Sequence, residues 1–341
     1  MARPFHDNPE KGVVREHWDT PLLRYLHDRF RVRYRYLGLP GVDLIDVNLW
    51  RDMIDEVIAF EPPGRLPNRR AAIDQLRLNM RIRNIPGIAY FGSFEEVVML
   101  RKDFDGQHYS QNKLITLYNL DFCDEITSKV ETQEHGKQVW RFEAIRQILR
   151  DQAVCFQREG SPRHFIMLLT IRNQSSGAKL HHLLTGPALL AEAKEHRQSC
   201  SVSNPFHDNS NEPLIGTHTW ALKAVVFNYL LSYFNNPCLS TLFFPGVMYN
   251  GTPVAVGRGR ARTTIPSPML HWVVLCRFAE PEQVSPACWP SRYLGRSCVS
   301  VGGDPPLFWS PQTGETDGSP LAPNPVAWLE EHGSEVLRGL L

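Results

Sequence analysis

The chain has 341 residues, enough for one large domain or two small ones with a sizeable buried core. Its 37 lysines and arginines are balanced by 36 aspartates and glutamates, so no overall charge directs it to nucleic acid or to a membrane surface. The seven cysteines form no CxxC pair, which argues against a zinc ribbon or redox motif and suits a reducing compartment.

Residues 1–30 are predicted to be a helical lead-in. The first residues are polar and lack the apolar segment of a signal peptide, and a short helix-like run, PLLRYLHDRF, follows from Pro21 to Phe30. No uninterrupted apolar stretch approaches the ~20 residues that a spanning helix requires. We therefore expect a cytoplasmic protein.

Residues 31–278 are predicted to form one α/β domain, doubly wound around a mainly parallel sheet. Short apolar runs end near Gly38, at Phe60, near Phe91 and at Tyr118, and another spans Phe165 to Ile171. Between these runs lie amphipathic segments with helical spacing, such as NRRAAIDQLRLNMRIRN. Strands that alternate with helices in this way indicate βαβ units and a parallel sheet.

The order of elements changes in the last third of the chain. Residues 220–234 are a strongly apolar helix candidate that ends at two asparagines and a proline. Two strand-like runs follow, residues 239–250 and 268–278, and we expect them to pair antiparallel at one end of the sheet. Residues 279–341 are rich in Pro, Gly and Ser, and they are predicted to be a loop-rich extension with a terminal docking helix.

The segment YLGLPGVDLIDVNLWRDMIDEVIAFE has the order expected of a nucleotide-binding βαβ unit. Gly38 and Gly41 can form the turn after the first strand. Glu61 ends the second strand 23 positions after Gly38, which suits a carboxylate that binds ribose hydroxyls. The full GxGxxG motif is absent, so an ordinary turn and an ordinary strand-end carboxylate explain this segment equally well.

Two later strand ends favour the nucleotide-site interpretation. GIAYFG is followed by a serine and then by Phe94 and Glu95, and LITLY is followed by Asn119 and, two residues later, Asp121. In open α/β sheets, ligands bind outside the carboxyl ends of the strands. Four successive strand ends with glycine, acidic, aromatic or amide residues therefore predict a site at this edge.

The successive segments GLPG, AFE, FGSFEE and YNLDF resemble the nucleoside-binding motifs of class I S-adenosylmethionine-dependent methyltransferases. Residues 220–278 are similar to the helix and antiparallel strand pair that complete that family's sheet. The resemblance covers about residues 30–278 and implies a Rossmann-like fold. It departs from the family in the first loop, which lacks the usual glycine-rich signature, and in the fourth strand end, which is not an Asn/Asp-Pro-Pro-aromatic tetrad.

The resemblance implies S-adenosylmethionine as the cofactor and assigns five residues to it. Gly38 and Gly41 would lie alongside its methionine and ribose portion, and Glu61 would bind the ribose hydroxyls. Phe94 and Glu95 would contact the adenine.

The resemblance also implies a methyltransferase whose acceptor the sequence does not identify. Asn119 would hydrogen-bond the acceptor, and Asp121 would orient it or accept its proton. A non-catalytic ligand sensor, or a subunit of a larger complex, would explain the degenerate glycine loop. A nicotinamide-dependent oxidoreductase would explain Gly38 and Glu61, but not the terminal antiparallel strands.

Arginines are dense in the first strand, in the NRRAAIDQLRLNMRIRN helix and in the loop between the last two strands. In FRVRYRYLG they alternate with apolar residues, whereas a central parallel strand is apolar on both faces. Either the strand begins near Tyr34 or these arginines pair with carboxylates, and an amphipathic edge segment is favoured over a nucleic-acid contact. In the last loop, Arg258, Arg260 and Arg262 suit phosphate contacts, so nucleic acid is a candidate partner, although a solvated charged loop is the commoner explanation.

The histidines do not predict a metal site. No HxxxH or HExxH spacing is present, and His271 lies in an apolar strand, where a hydrogen-bonded core histidine is expected. A GxSxG elbow and a Walker loop are also absent from the sequence, which disfavours hydrolases and NTPases.

Overall fold

The computed structural model describes residues 9–64, 68–122, 126, 128–132, 136, 138–172, 239–244, 247–256, 263–278, 307–308, 325–333 and 337. The helices are α1 (Pro9–Val14), α2 (Thr20–Phe30), α3 (Ile45–Leu49), α4 (Ala71–Ile82), α5 (Phe94–Leu100), α6 (Arg141–Glu159) and α7 (Pro325–His332), and a π-helical turn, Arg15–Asp19, joins α1 to α2. The strands are β1 (Tyr34–Gly38), β2 (Ile54–Glu61), β3 (Gly87–Phe91), β4 (Leu117–Asp121), β5 (Lys129–Glu131), β6 (Gln138–Trp140), β7 (His164–Arg172), β8 (Leu239–Phe243), β9 (Val247–Val256), β10 (Thr263–Phe278) and β11 (Leu307–Phe308).

Five parallel strands form the centre of the main sheet, in the order β3-β2-β1-β4-β7. The strand order reverses direction between β1 and β4, which makes the carboxyl ends of these two strands the topological switch point. The predicted doubly wound α/β fold with a mainly parallel sheet is confirmed.

The antiparallel end of the sheet is also confirmed. β10 runs antiparallel to β7, and the predicted run 239–250 lies beside β10 as two strands, β8 and β9. β9 extends to Val256 and β10 begins at Thr263, so the connection between them is shorter than the sequence predicted. The predicted helix 220–234 lies outside the described residues.

Two hydrophobic clusters cover the two faces of the sheet. One contains α5 and α6 residues and the other contains residues of the π-helical turn, α2, α4 and α7. In β4, Leu117 belongs to the second cluster and Tyr118 to the first. Successive strand residues point to opposite faces, so a parallel strand covered on both faces is apolar throughout.

β1 lies in the centre of the sheet, so the prediction of an edge segment is wrong, whereas a strand that begins near Tyr34 and arginines that pair with carboxylates are both confirmed. β1 pairs with β2 on one side and with β4 on the other. Arg33 precedes the strand and donates to Asp55 at 2.8 Å, and Arg35 lies 3.4 Å from Glu159. These arginines lie near the amino end of β1, where carboxylates on neighbouring elements can neutralise them.

The C-terminal helix α7 packs against α2 and against Phe244, which follows β8. Trp328 lies 4.8 Å from Phe244 between ring centroids, and Leu329 is fully buried. Tyr25 of α2 donates a hydrogen bond to Glu330 at 2.9 Å. The docking helix expected at the end of the chain therefore corresponds to α7. The small antiparallel pair β5–β6 between β4 and α6 was not predicted.

Gly87 is expected to be required for the pairing of β3 with β2. It has a φ of +137°, and a Cβ atom would lie 1.9 Å from the backbone oxygen of Val57. Gly87→Ala should therefore lower the free energy of unfolding, measured in urea, by roughly 3 kcal/mol. Gly106→Ala is the control, because Gly106 also has a positive φ (+78°) but no atom within 4 Å, and it should cost only about 1 kcal/mol. Equal losses would show that the close approach to β2 is unimportant.

Candidate functional site

The turn after β1 contains the two predicted glycines. Gly38 ends β1, and a Cβ atom there would lie 2.3 Å from the backbone oxygen of Asn119 in β4. Gly41 has a φ of +64°, and its carbonyl accepts the Leu44 N–H at 3.3 Å. Close packing of two strands and a tight turn therefore account for both glycines. The turn leads into α3, which has five residues and is too short to present the helix N-terminus of a full dinucleotide site.

Glu61 lies at the carboxyl end of β2, next to the turn after β1 in the sheet. Its backbone oxygen accepts the Gly92 N–H at 2.9 Å. Within the described part of the chain, no hydrogen bond or ion pair reaches its carboxyl group, and burial raises the pKa of that group to about 7. A partly buried carboxyl without a partner is an acceptor available to a ligand.

The two residues assigned to adenine lie at the start of α5, after the helix cap Ser93. Phe94 is buried and contacts Phe60 edge-on, with ring centroids 5.4 Å apart. Glu95 accepts a hydrogen bond from Arg141 Nε at 2.7 Å, and the Arg141 guanidinium lies 4.2 Å from the centroid of the Phe122 ring. Both side chains thus make contacts within the protein, and their cofactor roles remain predictions.

Asn119 and Asp46 form a buried hydrogen bond at the switch point. Asn119 Nδ2 donates to Asp46 Oδ2 at 2.7 Å and to Tyr36 Oη at 3.2 Å. Burial raises the pKa of Asp46, although Arg15 and Lys11 oppose the shift. Sequence reasoning missed Asp46, because a single acid in the apolar run LIDV gives no sign of what it faces.

Asp121, at the end of β4, is paired with two cations from the N-terminal segment. Lys11 Nζ contacts its Oδ2 atom, and Arg15 Nη2 lies 3.6 Å from the same oxygen. Arg15 Nε also contacts Asp46 Oδ1. All four side chains are buried, and no donor among the described residues reaches Asp121 Oδ1. The predicted catalytic carboxylate is therefore already bound to the chain's own cations.

The N-terminal segment adds a third charged contact through Asp19. His271 Nε2 lies 2.8 Å from Asp19 Oδ1, and His271 Nδ1 lies 2.9 Å from Thr170 Oγ1. Lys11, Arg15 and Asp19 are four residues apart, a spacing that keeps them near one side of α1 and the π-helical turn. The expectation that His271 is a hydrogen-bonded core histidine is confirmed.

The other two arginine clusters are those of α4 and of the loop between the last two strands. Arg77 lies 2.9 Å from Asp105, which also pairs with Arg70, so carboxylates neutralise part of the α4 cluster. The loop that contains Arg258, Arg260 and Arg262 lies outside the described residues.

The described residues contain no helix that is long and apolar enough to cross a membrane. They also hold no cluster of three or more His, Cys, Asp or Glu side chains that could bind a metal ion.

No family model and no curated protein matches the sequence. Solved structures do match at the level of the backbone. They include the YcgJ protein of Bacillus subtilis (7% identity, 76% of this chain and 99% of that one, TM-score 0.36) and the O-methyltransferase TomG of Streptomyces achromogenes in complex with SAM (8%, 76% and 79%, 0.34). The methyltransferase domain of bacterial CtHen1 is a third (12%, 76% and 98%, 0.29).

These TM-scores are low, so the fold assignment depends on this chain's own strand order and directions. Five parallel strands in the order β3-β2-β1-β4-β7 are completed by the antiparallel strands β10 and β9. This is the Rossmann-like arrangement that the sequence resemblance to class I S-adenosylmethionine-dependent methyltransferases implied. The resemblance in fold is confirmed.

Removal of Arg15 from its buried ion pairs should cost far more stability than removal of a cation from an exposed pair. Arg15→Met would leave Asp46 uncompensated and Asp121 with one cation fewer, so we expect a loss of about 3 kcal/mol in the free energy of unfolding. Arg24→Met is the matched control, because Arg24 forms an exposed pair with Asp52 and should change stability by less than about 1 kcal/mol. Similar losses in urea unfolding would contradict a buried network.

Glu61 should make stability depend on pH. Because its folded pKa of about 7 lies above the ordinary value of 4.5, the folded state binds the proton more tightly than the unfolded chain does. The stabilisation is complete below about pH 4.5 and is lost as the pH rises through about 7. The difference in unfolding free energy between wild type and Glu61→Gln should fall by up to about 3 kcal/mol over this window. A pH-independent difference would show that Glu61 is solvated.

Proposed function

We propose that the chain binds S-adenosylmethionine at the carboxyl edge of its sheet and transfers the methyl group to an acceptor. The Glu61 carboxyl supports this proposal most directly. It ends the strand next to β1, it lies 23 positions after Gly38, and it has no partner among the described residues. A carboxylate in that position can accept two ribose hydroxyls, which hydrogen-bond well to an ionised group.

The residues of the predicted site fit the cofactor at its ribose end. Glu61 provides an acceptor, and Gly41 keeps the turn after β1 compact. Phe94 and Glu95 lie after β3, at the same edge, but they are in contact with Phe60 and Arg141. Phe94, Glu95 and Arg141 are all buried, so an adenine contact requires a rearrangement of the Glu95–Arg141 pair.

At the acceptor end, S-adenosylmethionine when bound supplies an electrophilic methyl group on a sulfonium. The protein's contribution is to orient the acceptor and remove a proton from it. Asp121 would do both, because its Oδ1 atom has no donor among the described residues. Asn119 is held by Asp46 and Tyr36, so its side-chain oxygen would be fixed for hydrogen bonding to the acceptor.

A non-catalytic ligand sensor is the second candidate. The occupation of Asp121 by Lys11 and Arg15 favours it, because the carboxylate that would receive the acceptor's proton is already paired with two cations of the chain. Binding of S-adenosylmethionine without its conversion, in the presence of protein, nucleic-acid and small-amine acceptors, would select this function.

Titration with S-adenosylhomocysteine tests the cofactor assignment. Glu61→Gln should weaken binding by about 1.5–3 kcal/mol, because it replaces charge-assisted hydrogen bonds with neutral ones. Affinity for the wild type should also rise as the pH increases through about 7, where Glu61 ionises. Glu56→Gln is the matched control on the same strand, because Glu56 pairs with Lys113 away from the carboxyl end and should bind as the wild type does.

The same titration with NAD separates the remaining alternative. Binding of NAD in place of S-adenosylhomocysteine would select an oxidoreductase. If neither compound binds, or if Glu61→Gln binds as the wild type does, the assignment of Glu61 to the ribose is wrong.

A further inference from the structure

α1 and the π-helical turn bring an ammonium and a guanidinium group to Asp121 at the carboxyl end of β4 and to Asp46 of α3. Lys11 contacts Asp121, and Arg15 contacts both Asp121 and Asp46. We infer that Asp46 and Asp121 form a binding site for a cationic group, and that Lys11 and Arg15 occupy this site in competition with a cationic ligand. This inference deepens the proposed function and rests on it, since it gives the ligand at Asp121 a chemical class.

Stability alone does not explain a buried cluster of this kind. Removing charges from water costs several kcal/mol per ion, and apolar residues of similar volume often serve as well or better. Asp121 Oδ1 in the cluster, and Trp18 Nε1 in the π-helical turn, are also buried without a hydrogen bond within the described ranges. A buried polar atom without a partner lowers stability. The π-helical turn and the sheet therefore each hold one polar atom that the docked state leaves without a hydrogen bond.

The acids and the cations of the cluster belong to different elements. Asp46 lies on α3 and Asp121 on β4, whereas Lys11 lies on α1 and Arg15 begins the π-helical turn that follows it. α1 has six residues and contains Gly12, and glycine lowers helix stability relative to alanine. The π-helical turn that follows is an irregularity often found at functional sites.

Release of the helix would leave two carboxylates facing the predicted acceptor position. A protonated amine or guanidine would then replace Lys11 and Arg15, with Asp121 Oδ1 as an additional acceptor. Two sources share this chemistry, the amino group of the cofactor's methionine portion and an amine on the acceptor. The docked helix competes with either cation. The apparent affinity for that cation is the intrinsic affinity multiplied by the fraction of molecules in which the helix is released.

The test uses the full chain and three variants. Lys11→Met/Arg15→Met removes both competing cations, and Gly12→Ala stabilises the helix, since a Cβ atom at Gly12 meets no atom within 4 Å. Arg24→Met is the control, because its ion pair with Asp52 is exposed and lies outside the cluster. Each protein is titrated with N-acetyl-lysine methylamide and with S-adenosylhomocysteine, and amide hydrogen exchange is followed over residues 9–19.

We expect the double variant to bind N-acetyl-lysine methylamide about tenfold more tightly than the wild type. Gly12→Ala should bind it about two- to fivefold more weakly, and Arg24→Met should be unchanged. In the wild type, saturating amine should accelerate exchange of the amides in residues 9–19. If S-adenosylhomocysteine also gains affinity in the double variant, the cation is the cofactor's amino group; if only the lysine derivative gains, it is the acceptor's amine.

Equal affinities in the wild type and the folded double variant would overturn the inference, as would slower exchange of residues 9–19 on ligand binding. If the double variant does not fold, the inference is tested by the amine affinity of Gly12→Ala and by the exchange experiment on the wild type, because both proteins keep the intact cluster. Failure of the proposed function gives a different result. In that case S-adenosylhomocysteine binds to no protein, while the double variant still gains affinity for the lysine derivative.

Discussion

The burial of opposite charges at the switch point of the sheet is the constraint on which the rest of the site depends. Asp121 ends β4 and Asp46 lies on α3 after β1, and burying a carboxylate away from water is costly unless a cation pairs with it. Lys11 and Arg15 are those partners, so the N-terminal segment is bound to the sheet by charge as well as by apolar packing. The state of the candidate site is thereby linked to the position of one short helix.

Apolar packing holds the N-terminal segment against the sheet at the position where its charged side chains meet their partners. Trp18 and Leu22 pack into the cluster that covers one face of the sheet, together with residues of β1 and β4. The π-helical turn contains Arg15 and Asp19 and leads into α2, where Thr20 donates its hydroxyl to the Arg15 carbonyl at 2.7 Å. Hydrophobic packing is non-directional, so the ion pairs and the Asp19–His271 contact specify how the segment is oriented.

The two ends of the candidate site differ in how their carboxyl groups are satisfied. Glu61 has no partner in the described structure and a raised pKa, as expected of an acceptor available to a ligand. Asp121 already holds cations from its own chain. A cofactor could bind at the ribose end first, and chemistry at the other end would then depend on whether the N-terminal helix is displaced. Methyl transfer and ligand sensing differ in that second step.

The sequence by itself determined the order of strands and helices, the antiparallel end of the sheet and the position of Glu61 at a strand end. These follow from local periodicity and from the rule that parallel strands place their carboxyl ends together. Only the tertiary structure decided which charges meet. Arg141 pairs with Glu95 across 46 positions, and Lys11 reaches Asp121 across a longer separation. Charged side chains look alike in a sequence whether they face water or each other, because their partners are set by long-range packing and not by local pattern.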